Sequence, residues 1–174
     1  IEGFTKEEIL HFAEDMDKAV QRVIDLLENL LQWSLIQTDD FEFQPEDIDI
    51  RTIIEDNIAL YEKNALEKHI TIMVHAFSPT VVKADKNMLN FVLRNLISNA
   101  IKFTNAEASI DIFVNTRLDF TTVTIADKGI GIQPESLEKI FSPEVHLSTK
   151  GTANEKGTGF GLILSKEFVE KNNG

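Results

Sequence analysis

From Thr5 to Gln37 the chain contains neither glycine nor proline. Across this stretch Ile9, Phe12, Met16, Ala19, Val23, Leu26, Leu30 and Trp33 recur at alternating three- and four-residue steps, an a/d heptad pattern held for nearly four heptads. Thr5-Lys6-Glu7-Glu8 has the form of a capping box and marks the start of a helix. A helix of ~30 residues is about 45 Å long, too long to hide inside a small globular domain. Ala13, Val20 and Leu27 widen the apolar stripe beyond a two-stranded seam, the width of a helix in a bundle. The stripe therefore predicts packing against other helices, most simply from a second copy of the chain, with intramolecular packing as the alternative.

The charge distribution separates the same segment from the rest. Residues 1–50 carry 14 acidic and 3 basic side chains, a net of −11, whereas residues 51–174 carry 15 and 14, a net of −1. A nearly neutral larger part does not repel a compact anion such as a nucleotide. It lacks the clustered cations of a nonspecific nucleic-acid binder, so no nucleic-acid partner is expected. There is no cysteine, which excludes disulfides and thiolate chemistry and fits a reducing compartment. No run of 18 apolar residues is present, so no membrane contact is expected from this segment. The first residue is Ile1, which reads as a piece of a longer protein.

Residues 38–49 read as an acidic connector, with a short strand at Phe41-Glu42-Phe43 ended by Pro45. Residues 50–67 read as one helix with Ile53, Ile54, Ile58, Leu60 and Leu66 on its apolar side. Residues 70–77 and 81–84 are predicted strands on either side of a Ser78-Pro79 turn. Asp85 then caps a helix whose Leu89, Leu93, Leu96 and Ala100 face a core. Residues 109–115 and 121–126 alternate as a hairpin, a short helix lies near residues 134–140, and a last helix spans about 160–171. Strands and helices are segregated, so the expected class is α+β: a two-layer α/β sandwich, with helices on one face of a mixed sheet, preceded by the long bundle-forming helix.

Three features point to chemistry. Asn95, Asn99 and Lys102 stand at i, i+4 and i+7, within roughly a 60° arc of one helix. Asparagine is a poor interior helix residue, so this stripe is either a solvated side or a functional one. Asp127-Lys128-Gly129-Ile130-Gly131-Ile132 follows a strand; its glycines allow close approach of a ligand, or simply a turn. Gly157-Thr158-Gly159-Phe160-Gly161-Leu162 opens the last helix, where backbone N–H groups and the positive dipole end can seat a phosphate. It is neither a Walker loop nor a Rossmann turn. Lys150 and Lys156, in the preceding 142–158 stretch, either reach an anion or solubilise the loop.

Taken in order, Asn95-x-x-x-Asn99-Ala100-x-Lys102, Asp127-x-Gly129-x-Gly131, Phe141 and Gly157-x-Gly159-x-Gly161-Leu162 resemble the N, G1, F and G2 boxes of the catalytic, ATP-binding domain of bacterial sensor histidine kinases. These kinases belong to the ATPase group that includes gyrase, Hsp90 and MutL. Residues 1–50 then resemble the second dimerisation helix and its linker, and residues 51–174 the ATP-binding domain without its last two strands. The stretch from Ser148 through Gly151-Thr152 to Glu155-Lys156 is similar to the ATP lid of such kinases.

The resemblance implies ATP and Mg²⁺ as ligands, a homodimer through the N-terminal helix, a response-regulator receiver domain as partner, and a cytoplasmic location, free or as part of a membrane-anchored sensor. It assigns Asn99 to Mg²⁺, Lys102 to phosphate, Phe103 to the wall of the base pocket and Asp127 to the adenine amine. Gly129 and Gly131 shape the turn beneath the base, beside Ile132. Gly157, Thr158, Gly159, Gly161, Leu162 and Lys150 belong to the lid and phosphate side. Phe141 is assigned to lid packing or to the core. ATP-hydrolysing relatives carry a glutamate at the position of Asn95, and an amide cannot act as the general base. Asn95 and Lys102 therefore suit transfer of the γ-phosphoryl group to an external histidine. His11 lacks the family's acceptor context, and His11, His69, His75 and His146 read as structural or surface residues, which leaves autophosphorylation of this segment alone unexpected. The competing reading is a nucleotide-free scaffold that only dimerises.

Overall fold

Thr5 closes the capping box that starts α1 (Lys6–Gln37): Glu8 N–H donates to Thr5 Oγ1 at 3.2 Å, and Thr5 N–H donates to Glu8 Oε2 at 2.8 Å. The exchange also holds the Glu8 carboxyl below its usual pKa, chiefly through the Thr5 backbone N–H. The computed structural model describes residues 4–37, 43–76, 79–117, 120–142, 149–153, 155, 157 and 159–174. The chain divides into two units, Ile1–Phe41 and Glu42–Gly174, so the boundary falls earlier than the residue-50 limit read from charge and pattern.

In the first unit α1 carries its apolar stripe exposed: Ile9, Phe12, Met16, Val20, Val23 and Leu27 are each more than half exposed. One helix cannot bury its own stripe. At its start Phe4 packs edge-on against Phe12, with ring centroids 5.2 Å apart.

The second unit begins with β1 (Pro45–Asp49). Pro45 opens this strand rather than ending one, and Phe41 and Glu42 lie outside the described residues. The reason is positional: β1 has one partner strand, so the missing N–H of its first residue breaks no central ladder. The segment predicted as a single helix is two, α2 (Ile50–Leu60) and α3 (Glu62–Glu67), broken where Tyr61 leaves the helical region at φ −111°, ψ 9°. The break rotates the phase of the apolar side. Beyond the break Ala65 is buried and Leu66, expected on the apolar side, is 65% exposed; Leu60, also expected there, is the last residue of α2 and is 64% exposed.

β2 (Thr71–His75) and β3 (Val81–Asp85) flank the Pro79 turn but enter different sheets. β3 pairs antiparallel with β1, while β2 runs parallel to β4 (Ser109–Arg117), which forms the predicted hairpin with β5 (Phe120–Asp127). The three-stranded sheet β2-β4-β5 is thus mixed, and β1-β3 is a separate two-stranded ladder. Along β4, Ile110, Ile112 and Val114 face inward and alternate with the less buried Asp111, Phe113 and Asn115. The inward set packs with Ile53 and Ile54 of α2 and with Leu93, Ile97, Ala100 and Ile101 of α4 (Lys86–Phe103), so the helices form one layer over one face. On the open face His75 Nε2 meets Asp111 Oδ1 at 2.7 Å and stacks on Phe113.

α4 is fixed at both ends. Asp85 is its N-cap, accepting from Asn87 N–H at 3.0 Å and Met88 N–H at 3.1 Å, while its other oxygen accepts from Gln44 N–H. The short helix α5 (Pro134–Leu137) follows β5, and α6 (Gly161–Lys171) packs antiparallel to α4. Its C-terminal Asn172 accepts from Asp85 N–H at 2.8 Å, and Phe168 meets Phe91 edge-on. Buried Asn57 joins α2 to α4 by donating to Asn90 Oδ1 at 2.8 Å. Replacing Asp85 by alanine removes the cap of the central helix, and urea unfolding should show a loss of about 1–2 kcal/mol in the second unit.

Candidate nucleotide site

Four carbonyls at the end of any α-helix lack a partner within it. At the C-terminus of α4 these groups draw distant segments together. Ala100 C=O accepts from Thr104 N–H at 3.0 Å. Ile101 C=O and Lys102 C=O both accept from Lys68 Nζ at 2.9 Å, and Lys102 C=O also accepts from Thr152 N–H at 3.0 Å. Phe103 C=O accepts from Ile130 N–H at 3.2 Å, and Thr104, fully buried, forms an isolated bridge with Gly129. Thr152 Oγ1 donates to Thr104 C=O at 2.8 Å.

These bonds put the turn after β5, and Gly151 and Thr152 of the glycine-bearing loop, directly beside Lys102. Gly129 is required there, because a Cβ would lie 2.8 Å from the Phe103 carbonyl carbon and 2.7 Å from Asp127 Oδ1. Gly129 N–H donates to that oxygen at 2.9 Å, which leaves Asp127 Oδ2 facing no backbone donor of this turn. Gly131 takes φ +69° and Gly159 φ +81°, conformations that favour glycine. Ile130 and Ile132 are about half exposed, as is Phe141, which therefore is not a core aromatic.

One turn back on α4, the asparagines form a chain. Asn99 Nδ2 donates to Asn95 Oδ1 at 3.3 Å, Asn95 Nδ2 donates to Ser165 Oγ at 2.8 Å, and Ser165 Oγ donates to Gly161 C=O at 2.8 Å. Asn99 thus gives one of its two amide N–H donors to Asn95 and keeps Oδ1, the acceptor atom, for another partner. Gly161 sits against the Asn95 amide, 2.7 Å from its carbonyl carbon to an added Cβ, so the start of α6 tolerates no side chain there.

Lys102 is half-buried, with its ammonium 4.6 Å from the centroid of the Phe103 ring. Burial lowers its pKa; Glu155 opposes and Lys68 reinforces that shift, and the net displacement is downward. A Cβ on Gly157 would come 2.7 Å from Lys102 Nζ, which places the loop glycine at the ammonium. Thus Asn95, Asn99, Lys102, Phe103, Gly129, Gly157 and Gly161 are brought together, with Asp127 and Gly131 on the adjoining turn. Lys150 is exposed on the loop and Leu162 is half-buried on α6, whereas Lys156, Thr158 and His146 lie outside the described residues. Two residues of the cluster, Lys68 and Ser165, carried no sequence signal: one follows a short helix, and the other is an unremarked serine one turn beyond Gly161.

Residues 84–174 match the model of the family described as histidine kinase-, DNA gyrase B- and HSP90-like ATPase. The chain belongs to this ATPase family. Among its relatives, the sensor protein kinase WalK of Staphylococcus haemolyticus is 31% identical over 178 residues, covering 99% of this chain and 29% of that protein. The non-motile and phage-resistance protein of Caulobacter vibrioides is 26% identical over 167 residues, 94% of this chain and 20% of the relative. The chain thus spans less than a third of these curated relatives. Of solved structures, the nucleotide-free catalytic domain of histidine kinase ThkA is 27% identical with a TM-score of 0.65, covering 74% of this chain and 82% of that one. ThkA in complex with the response regulator TrrA has a TM-score of 0.77 at 21% identity, covering 99% of this chain and 47% of that one, a likeness of fold alone. Membership accounts for the α+β class.

One electrostatic consequence is measurable without a ligand. Burial pushes the Glu155 carboxyl up, but its hydrogen bond to Lys68, helped by the N–H groups of Glu155 and Ala153, holds it net below the usual 4.5. A carboxyl with a depressed folded-state pKa stabilises the fold above its unfolded value and loses that contribution as pH falls through the folded one. Urea midpoints should therefore be higher for the native chain than for Glu155→Gln at pH 6, and the difference should close below pH 4.5.

Proposed function

We propose that this ATPase-family chain binds Mg-ATP at the C-terminal end of α4 and serves as the catalytic part of a sensor histidine kinase, transferring the γ-phosphoryl group to a histidine outside the four in this sequence. The observation that carries the reading is the convergence of Gly129 and Ile130, of Gly151 and Thr152, and of Gly157, Gly161 and Ser165 on the last turns of α4. The histidine-kinase names of its relatives support it.

In this reading Lys102 takes a phosphate charge, and Oδ2 of Asp127 accepts from the adenine amine. Phe103, Ile130 and Ile132 offer apolar surface to the base, and Gly131 shapes the turn under it. Gly157, Gly159, Gly161 and Leu162, with Lys150 and Thr158, are assigned to the phosphate side. Asn99 Oδ1 is a hard oxygen ligand of the kind Mg²⁺ accepts beside water and phosphate oxygens. The ion, when bound, neutralises charge on the phosphates. Asn95 has no basic atom, and its amide is held between Ser165 and Asn99. It orients without activating water, so transfer to a positioned imidazole is favoured over hydrolysis.

The N-terminal unit fits a dimer through α1, whose exposed stripe needs a partner. A receiver domain of a response regulator is the expected recipient of the phosphoryl group; the complex of the structural neighbour ThkA with TrrA supports that partner class. No helix among the described residues is long and apolar enough to cross a membrane. A cytoplasmic setting is part of the proposal.

Calorimetry with Mg-ATP tests the site against the nucleotide-free scaffold reading. Binding at millimolar nucleotide or below is expected, and none would refute the kinase reading. Asn99→Ala should abolish the tightening of nucleotide binding by Mg²⁺, with an unchanged melting profile; a retained Mg²⁺ effect removes Asn99 from the metal site. For α1, Leu27→Lys should convert a dimer to a monomer in sedimentation, since a residue 60% exposed in the single chain contributes little unless it is covered.

A further inference from the structure

Lys68 lies 34 residues before Lys102 in sequence and 84 before Thr152, yet its ammonium joins them. Nζ donates to Ile101 C=O at 2.9 Å, to Lys102 C=O at 2.9 Å and to Thr152 Oγ1 at 2.7 Å, and pairs with Glu155 Oε1 at 2.9 Å. A lysine ammonium has three N–H donors, so four oxygens engage all of them. The side chain is 12% exposed, far from the solvated behaviour of a surface lysine.

Its backbone is fixed as well. Lys68 is the C-cap of α3, its carbonyl accepts from Glu107 N–H at 3.0 Å, and the next residue, His69, turns the chain at φ +55°. Around it the loop root closes on itself. Gly151 N–H donates to Glu155 C=O at 2.8 Å, and Ala153 N–H donates to Glu155 Oε2 at 2.8 Å. Gly151 is buried, and a Cβ there would meet Lys102 Cγ at 2.6 Å and Lys102 C=O at 2.8 Å. The loop root is therefore pressed against the stem of the lysine that the proposed function assigns to phosphate.

We propose that Lys68 is a positioning residue of the nucleotide site, clamping Thr152 and Glu155, at the root of the loop, to the C-terminal carbonyls of α4 and so setting where Lys102 presents its charge to a polyphosphate. The inference rests on the ATP reading of the site. Its physical logic is that a helix C-terminus carries about half a negative charge, which opposes a triphosphate brought close to it. An ammonium on Ile101 C=O and Lys102 C=O offsets that charge at the two residues nearest the phosphate contact. It also takes up the Glu155 carboxylate, which would otherwise compete for Lys102. The clamp acts on phosphate recognition and not on the adenine side, where Asp127 is held by its own turn.

The test compares ATP and adenosine binding by the native chain, Lys68→Met and Glu155→Gln, together with amide exchange at Gly151, Thr152 and Ala153. Lys68→Met should weaken Mg-ATP by roughly tenfold, the scale of a lost hydrogen bond to a charged group. Adenosine affinity should stay within about twofold, and the three loop-root amides should lose protection while those of β4 keep theirs. A general loss of structure would weaken both ligands together. Equal ATP affinity in a folded Lys68→Met chain, or unchanged loop-root exchange, overturns the proposal. If Lys68→Met does not fold, Glu155→Gln decides by the same two readouts, with a smaller ATP-selective loss expected and no loss contradicting the clamp. Failure of the native chain to bind either ligand is a different result: it removes the nucleotide reading, on which the proposal depends.

Discussion

The unpaired carbonyls at the end of α4 organise this molecule. A helix that ended in solvent would give them to water, and nothing would then oblige three remote segments to meet. Here Thr104, Lys68, Thr152 and Ile130 supply the donors. Thr104 is the helix's own C-cap, and each of the other three brings a remote segment: the α3–β2 corner, the root of the glycine-bearing loop, and the turn after β5. The site follows from satisfying the helix terminus, because the polar stripe of Asn95, Asn99 and Lys102 occupies the same last turns. The opposite end of α4 is held with equal care by Asp85 and Asn172, so the helix serves as a fixed axis.

Two kinds of interaction divide the work around that axis. Apolar packing of Leu93, Ile97, Ala100 and Ile101 against the sheet sets the position of the helix. A polar chain from Asn99 through Asn95 and Ser165 to Gly161 then sets the position of α6 and orients both amides. Buried polar groups cost stability unless paired, so such a chain specifies geometry more than it adds stability. Its effect is to present one amide oxygen, one ammonium and several glycines on a common surface.

Much of the site was legible in the sequence because its residue types are costly anywhere else. Two asparagines on one face of a helix, alternating glycines after a strand and a glycine run before a helix are each locally unfavourable, and their order fits one family. The hairpin, the Asp85 cap and the capping box at Thr5 were legible from local chemistry alone. Elements decided by tertiary phase were not. Leu66 looked like a core residue until the break at Tyr61 turned it outward, and Pro45 looked like a terminator because its edge position depends on a partner 40 residues on. Lys68 and Ser165 were invisible for a further reason. A lysine after a short helix and a serine within one are common, and only the fold shows which oxygens they reach.

The proposed function makes the α4 stripe a Mg-ATP site with its metal at Asn99. Replacing Mg²⁺ by paramagnetic Mn²⁺ in NMR samples of the isotope-labelled chain tests this most directly. With ATP present, line broadening should centre on the Asn99 side-chain amide and extend to Lys102 and Gly157, and without nucleotide it should be weak there. Broadening centred away from α4, or equally strong at Asn99 with no nucleotide added, would contradict the account.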